Sequence, residues 1–173
     1  MPGQKGFSLI ELLIVVAIIL IIAAIAIPNL LSSRMAANEA SAVGSIQAIK
    51  TAEYAYFSTY PTVGYAGAIS ALGGTSSPCV ATSSAACLLD ASLVNAVPGT
   101  GAKSGYVFLA TGIANGGAIN NAFVSGASPV VAHQTGNRDF CSTDDGVLRS
   151  NMAATGDTPV NSLGSCYAFP VAQ

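Results

Sequence analysis

Charge is scarce in this sequence, and the scarcity excludes a good deal. Only 8% of the 173 residues are charged, and the net charge is −2. Six Lys and Arg scattered over that length form no basic patch, so no nucleic-acid partner is expected. His133 is the sole histidine, which leaves no paired-histidine metal motif. A P-loop, a dinucleotide fingerprint and G-x-S-x-G are all missing as well. None of the four cysteines stands in a C-x-x-C, and no Asn-x-Ser/Thr sequon occurs. The chain therefore does not read as an enzyme, and no cofactor is expected. A surface with so few charges must be built from small polar and apolar groups, which suits packing against copies of itself.

The hydrophobic content, 51% overall, is concentrated at the N-terminal end. From Leu12 to Ile27 every residue is Leu, Ile, Val or Ala, and twelve of the sixteen are Leu, Ile or Val. At about −0.3 to −0.6 kcal/mol each, those side chains favour membrane insertion by roughly 4 to 7 kcal/mol. Glu11 stands at the edge of the run, where a charge costs less than the ~3 kcal/mol of the bilayer centre, so insertion wins. With Phe7 to Ile10 on one side and Leu30 and Leu31 on the other, the segment reaches the ~20 residues of a span. Three readings compete. One is a cleaved secretory signal, with Ala24-Ile25-Ala26 as its A-x-A site; the long core, the single basic Lys5 and Glu11 speak against it. Another is an ordinary membrane anchor in which Glu11 is incidental. The third is a helix first inserted in the membrane and later drawn into a fibre.

Lys5-Gly6-Phe7-Ser8-Leu9-Ile10-Glu11-Leu12 resembles the prepilin signature of the type IV pilin and pseudopilin superfamily. The resemblance covers roughly residues 5–31. It implies a leader of residues 1–6, cleavage between Gly6 and Phe7 by a membrane prepilin peptidase, and N-methylation of Phe7 by the same peptidase/methylase. Glu11 is the fifth residue counted from Phe7, and Pro28 falls where many members carry a helix-kinking proline. In this family Glu11 would attract the N-terminal amine of a neighbouring subunit inside the apolar fibre core. Each charge is expensive when left alone there, so the pair penalises misaligned subunits more than it adds net stability. A local alternative is a favourable interaction of Glu11 with the dipole of its own helix. The implied partners are further copies of the chain in a helical homopolymer, the peptidase/methylase and an inner-membrane assembly platform. The implied precursor crosses the inner membrane once with its N-terminus cytoplasmic. A pilus subunit then ends in a surface fibre, and a pseudopilin of a type II secretion system in the periplasm. A soluble exported binding protein cut after Ala26 is the reading from a different class.

Pro28 removes a backbone N–H and crowds the preceding turn, which predicts a kink or local melting over residues 24–28; the resemblance further implies that the segment around the proline can unwind when subunits pack. Gly44 is the one further breaker before Pro61. Ala42, Ile46, Ile49, Tyr56, Phe57 and Tyr60 recur at helical spacing with Glu53 inside the stripe, whereas Ser41, Ser45 and Thr51 lie away from it. A helix from Phe7 to Tyr60 would be ~80 Å long, so its first half is expected to protrude. The aromatic cluster of Tyr54, Tyr56, Phe57 and Tyr60 reads as packing against a sheet.

Tyr60-Pro61 closes the helix. A Gly/Ser/Thr/Ala-rich loop to Pro78, a short helix within 86–97, a strand at 106–109, one or two more at 121–124 and 129–132, and strands at 138–142 and 147–150 are expected after it. Thr143-Asp144-Asp145-Gly146 is a hairpin signal. The predicted fold class is α+β, a long N-terminal helix whose apolar half protrudes and whose amphipathic half packs on a small antiparallel β-sheet head, the pilin-like lollipop that the resemblance also implies. The expected organisation is a leader (1–6), a transmembrane or fibre-core helix (7–31), an amphipathic helix (32–60) and a head (61–173). Four cysteines behind an export-type N-terminus favour disulfides over metal. Three pairings are open. The one expected joins Cys79 to Cys87, closing a short loop, and Cys141 to Cys166, tying the C-terminal region to the sheet as in many pilins. Related pseudopilins bind calcium in a C-terminal loop, for which Asp144 and Asp145 are candidates, although a hairpin turn accounts for the same residues.

Overall fold

A computed structural model describes residues 6–74, 78–152, 154 and 156–172. The leader residues 1–5, Lys5 among them, lie outside the described residues. The chain divides into two compact units, Met1–Arg34 and Met35–Gln173. One helix, α1 (Leu9–Thr59), contributes to both.

In the first unit α1 is apolar on every side. Its large side chains from Phe7 to Leu31 remain 45–79% exposed. The helix runs uninterrupted through Pro28, so residues 24–28 are not melted. Pro28 forgoes one hydrogen bond and crowds the preceding turn, but the Ala-, Leu- and Ile-rich run before it favours helix strongly enough to keep the helix continuous. Nearby polar side chains turn back on the backbone. The Asn29 amide donates to the Ile25 carbonyl at 3.2 Å and the Ser33 hydroxyl to the Asn29 carbonyl at 2.9 Å.

In the second unit the C-terminal part of α1 becomes amphipathic. Ala42, Ser45, Ile46, Ile49, Ala52, Glu53 and Tyr56 are buried, a repeat of three and four that keeps one face inward. Two positions correct the expected stripe. Ser45 belongs to the buried face, one turn from Ile49, because a small side chain suits close approach there. Phe57 is 36% exposed and lies at the margin. The helix ends at Thr59, ahead of Pro61 as predicted.

The buried face packs on a four-stranded antiparallel sheet in the order β1 (Tyr106–Ile113), β2 (Ala122–Pro129), β3 (Asp139–Thr143), β4 (Leu148–Asn151). Ile46, Ile49 and Tyr56 share one core with Phe108, Ala127 and Phe140. The fold is thus α+β, a long N-terminal helix packed on a small antiparallel sheet. The other sheet face carries a second core, in which Val124, Cys141 and Cys166 pack with Ile113, Val160, Leu163 and Phe169. β2 is therefore buried along its whole length.

Several local expectations are corrected. The strands expected at 121–124 and 129–132 are one strand, β2, and residues 130–132 lie beyond it. The helix expected within 86–97 contracts to α3 (Ala91–Val94), capped by the Asp90 carboxylate accepting from Leu93 N–H at 3.0 Å. Before it, Cys87 takes a φ of +59°, and the Leu88 and Leu89 N–H groups donate to the Leu72 carbonyl, so this stretch is committed to a neighbour. The loop expected before Pro78 contains a single turn, α2 (Ile69–Leu72), and α4 (Leu163–Tyr167) follows its Ser162 cap. Val171 pairs with Arg149, so residues 170–172 line the outer edge of β4.

Disulfides join Cys79 to Cys87 and Cys141 to Cys166. The first lies in an exposed loop, and the second is fully buried in the outer core.

Candidate functional site

The residues singled out in the sequence separate into two groups. The first lies on the apolar unit. Gly6 precedes α1, and an added Cβ would meet nothing within 4 Å. Its φ is not among the positive ones, so folding does not demand glycine there. Phe7 is 74% exposed. Glu11 occupies the first turn of α1, where the helix dipole favours a negative charge, and its side chain is exposed. Ser8-Leu9-Ile10-Glu11 also has the spacing of a capping box, a local signal that sequence reasoning passed over. No ion pair involves Glu11 among the described residues. Pro28 sits inside the same helix, 17 positions on.

The second group lies around the sheet. Asp144 and Asp145 occupy the turn between β3 and β4, with Gly146 at φ +72° and its N–H donating to the Thr143 carbonyl at 2.9 Å. The Asp145 carboxylate accepts from the Thr143 hydroxyl at 2.8 Å, the Val147 N–H at 2.9 Å and the Arg149 guanidinium. The hydrogen bond from Arg149 chiefly holds its carboxyl down to about 2. The carboxylate is thus occupied in building the hairpin. The turn docks on α1, since Lys50 Nζ donates to the Gly146 carbonyl at 3.2 Å and Tyr54 hydroxyl to the Asp144 carbonyl at 3.0 Å. Asp139 is buried in β3 and Asp157 is exposed at φ +50°, so these four carboxylates do not converge. Among the described residues no three His, Cys, Asp or Glu side chains gather as a metal site. His133 is exposed, with Nδ1 3.2 Å from the Asn137 amide oxygen.

Two buried acids behave differently from one another. Glu39 is paired: its carboxylate accepts from Arg138 Nε and from the Asn137 N–H, both at 2.8 Å. Glu53 is fully buried. One of its oxygens accepts from Ala66 N–H at 2.8 Å, and the other has no partner among the described residues. Burial pushes its carboxyl up to about 7, offset in part by the Ala66 bond. The aromatic cluster divides. Tyr56 and Tyr60 meet with tilted rings, centroids 4.8 Å apart, on the core side, and the Tyr56 hydroxyl donates to the Ser83 carbonyl. Tyr54 and Phe57 gather instead with Tyr65 and Phe123.

Residues 1–27 match the family described as the prokaryotic N-terminal methylation motif. The N-terminal segment carries the type IV pilin signature. Similar proteins agree with that signature. The chain is 47% identical to the type IV major pilin protein of Myxococcus xanthus, over 33% of its own length and 26% of the relative. It is 64% identical to the type IV wide pilus major component of Thermus thermophilus, over 22% of its length and 30% of the relative. A fimbrial protein of Pseudomonas aeruginosa is 54% identical over 30% of the chain and 34% of the relative. The chain thus spans between a quarter and about a third of the length of these curated relatives. No solved structure matches.

Proposed function

We propose that the chain is the structural subunit of a type IV pilus-like fibre. In this reading it is made as a precursor inserted once in the inner membrane, cut between Gly6 and Phe7, and methylated on the new Phe7 amine. It then polymerises through α1. One observation carries the reading: among the described residues nothing covers the apolar half of α1. Seventeen large hydrophobic side chains from Phe7 to Leu31 lie open. At about 1.5 kcal/mol or more for each one buried, on the order of 25 kcal/mol of burial is left unclaimed. Lipid, and other copies of the same helix, are apolar along that whole length. The pilin signature supports both occupants in succession.

Gly6 supports processing, because the fold itself has no use for a glycine there. A small residue without a packing reason suits an extended strand entering a peptidase. Glu11 then gains a role that its own helix does not exhaust. In a fibre core of low dielectric, the amine of a neighbouring Phe7 neutralises it, and a subunit out of register leaves both charges bare. The relatives are pilins and fimbrial proteins, which favours a surface pilus over a secretion pseudopilin.

Mass spectrometry of sheared fibres tests the processing: the expected chain starts at a methylated Phe7. A start at Ile27 would indicate a soluble exported protein instead, and intact residues 1–6 in assembled fibres would refute the scheme. Glu11→Ala is expected to insert normally and to lose fibres, and wild-type fibre yield would remove the register role.

A further inference from the structure

We propose that Arg34 binds a lipid phosphate and thereby sets the depth of the apolar helix in the bilayer. The proposal rests on the membrane-inserted precursor argued above. Between Glu11 and Arg34 the chain has no charged residue. Residues 12–33 form 22 positions of continuous helix, about 33 Å at 1.5 Å per residue. That length matches the ~30 Å hydrocarbon core. Two polar groups inside the stretch, the Asn29 amide and the Ser33 hydroxyl, donate back to helix carbonyls, as lipid surroundings require. Arg34 is the first residue past this stretch to carry a full charge.

Its guanidinium is also the one arginine left uncommitted. Arg138 pairs with Glu39 and Arg149 with Asp145, whereas Arg34 is exposed and has no hydrogen bond or ion pair among the described residues. A planar fork of N–H donors on a flexible apolar stem matches a phosphate. The phosphate plane lies just beyond the hydrocarbon, where the helix length places residue 34. Free anions share this chemistry, but the apolar run beside Arg34 selects the phosphate that comes attached to acyl chains.

The test uses the full chain labelled with ¹³C,¹⁵N-arginine, reconstituted in phosphatidylethanolamine/phosphatidylglycerol vesicles in phosphate-free buffer. Solid-state ³¹P dephasing reports which guanidinium carbons touch phosphorus. The chain has three arginines, so about one third of the guanidinium signal is expected to dephase, and that fraction is expected to vanish in Arg34→Gln. Arg34 makes no polar contact within the described fold, so the variant retains its structure. Absence of dephasing in a correctly inserted chain overturns the proposal, as does dephasing that survives Arg34→Gln. Equal dephasing by inorganic phosphate in a phosphorus-free detergent overturns the lipid assignment. Failure of the helix to insert, read by protease protection, defeats the membrane reading together with this one.

Discussion

Glu53 offers the sharpest test of the packing described above. Its carboxyl is fully buried, only one oxygen has a donor, and no cation pairs with it among the described residues. Burial raises it from 4.5 to about 7. The sign follows from that direction. The folded state holds the proton more tightly than the unfolded chain. The stability linked to it is complete below about pH 4.5 and is lost as pH rises through 7. At 1.36 kcal/mol per pH unit, the loss amounts to about 3 kcal/mol above neutrality. Glu53→Gln removes the charge and keeps the shape. Its carbonyl still accepts from Ala66, while its amide leaves a buried donor unpaired, at a cost of about 1 kcal/mol. The variant is therefore expected to be more stable than the parent by about 2 kcal/mol at pH 8 and less stable by about 1 kcal/mol at pH 4. At roughly 2–4 °C per kcal/mol in a chain of this size, thermal melts in detergent across that range show the two curves crossing. Parallel curves, with no pH-dependent gain for the variant, would refute the claim that this carboxyl is desolvated without compensation.

Two further outcomes follow from the second unit. Replacing both cysteines by alanine is expected to cost about 3.5 kcal/mol at Cys141–Cys166 and about 2.5 kcal/mol at Cys79–Cys87 by loop-closure entropy, with separations of 25 and 8 residues. The buried pair loses packing as well, so urea melts should show the larger drop there. Gly126→Ala would set a Cβ 2.2 Å from the Val160 carbonyl oxygen and 2.7 Å from its nitrogen. The expected result is loss of more than about 2 kcal/mol and faster hydrogen exchange over residues 156–169, because the segment must lift off the sheet.

How much was legible depended on whether a signal was local. The helix end before Pro61, the amphipathic stripe and the β3–β4 hairpin all follow from short-range rules, and the structure has them. β2 was not legible as one strand because Ser125, Gly126, Ala127 and Ser128 have little strand preference. They are small for a tertiary reason: Val160 approaches one face of the strand and Phe140 shares the core on the other. The short helices α2 and α4 are single turns, too brief for periodicity to register, although the Ser162 cap was a readable cue. Ser45 was misplaced because polarity was weighed above position. The N-terminal candidates are the reverse case. They are conspicuous as a motif, while among the described residues Gly6, Phe7 and Glu11 have no side-chain contact that explains them.

The C-terminal residues alongside β4 have a consequence for how the second unit meets other molecules. Ser150 N–H already donates to the Pro170 carbonyl, and Ala172 N–H to the Leu148 carbonyl. A strand from another polypeptide would find those backbone groups taken, so this border of the sheet cannot be lengthened by main-chain zippering. Runaway cross-β growth is thereby blocked at that border, a safeguard that would matter most in the crowded fibre proposed above.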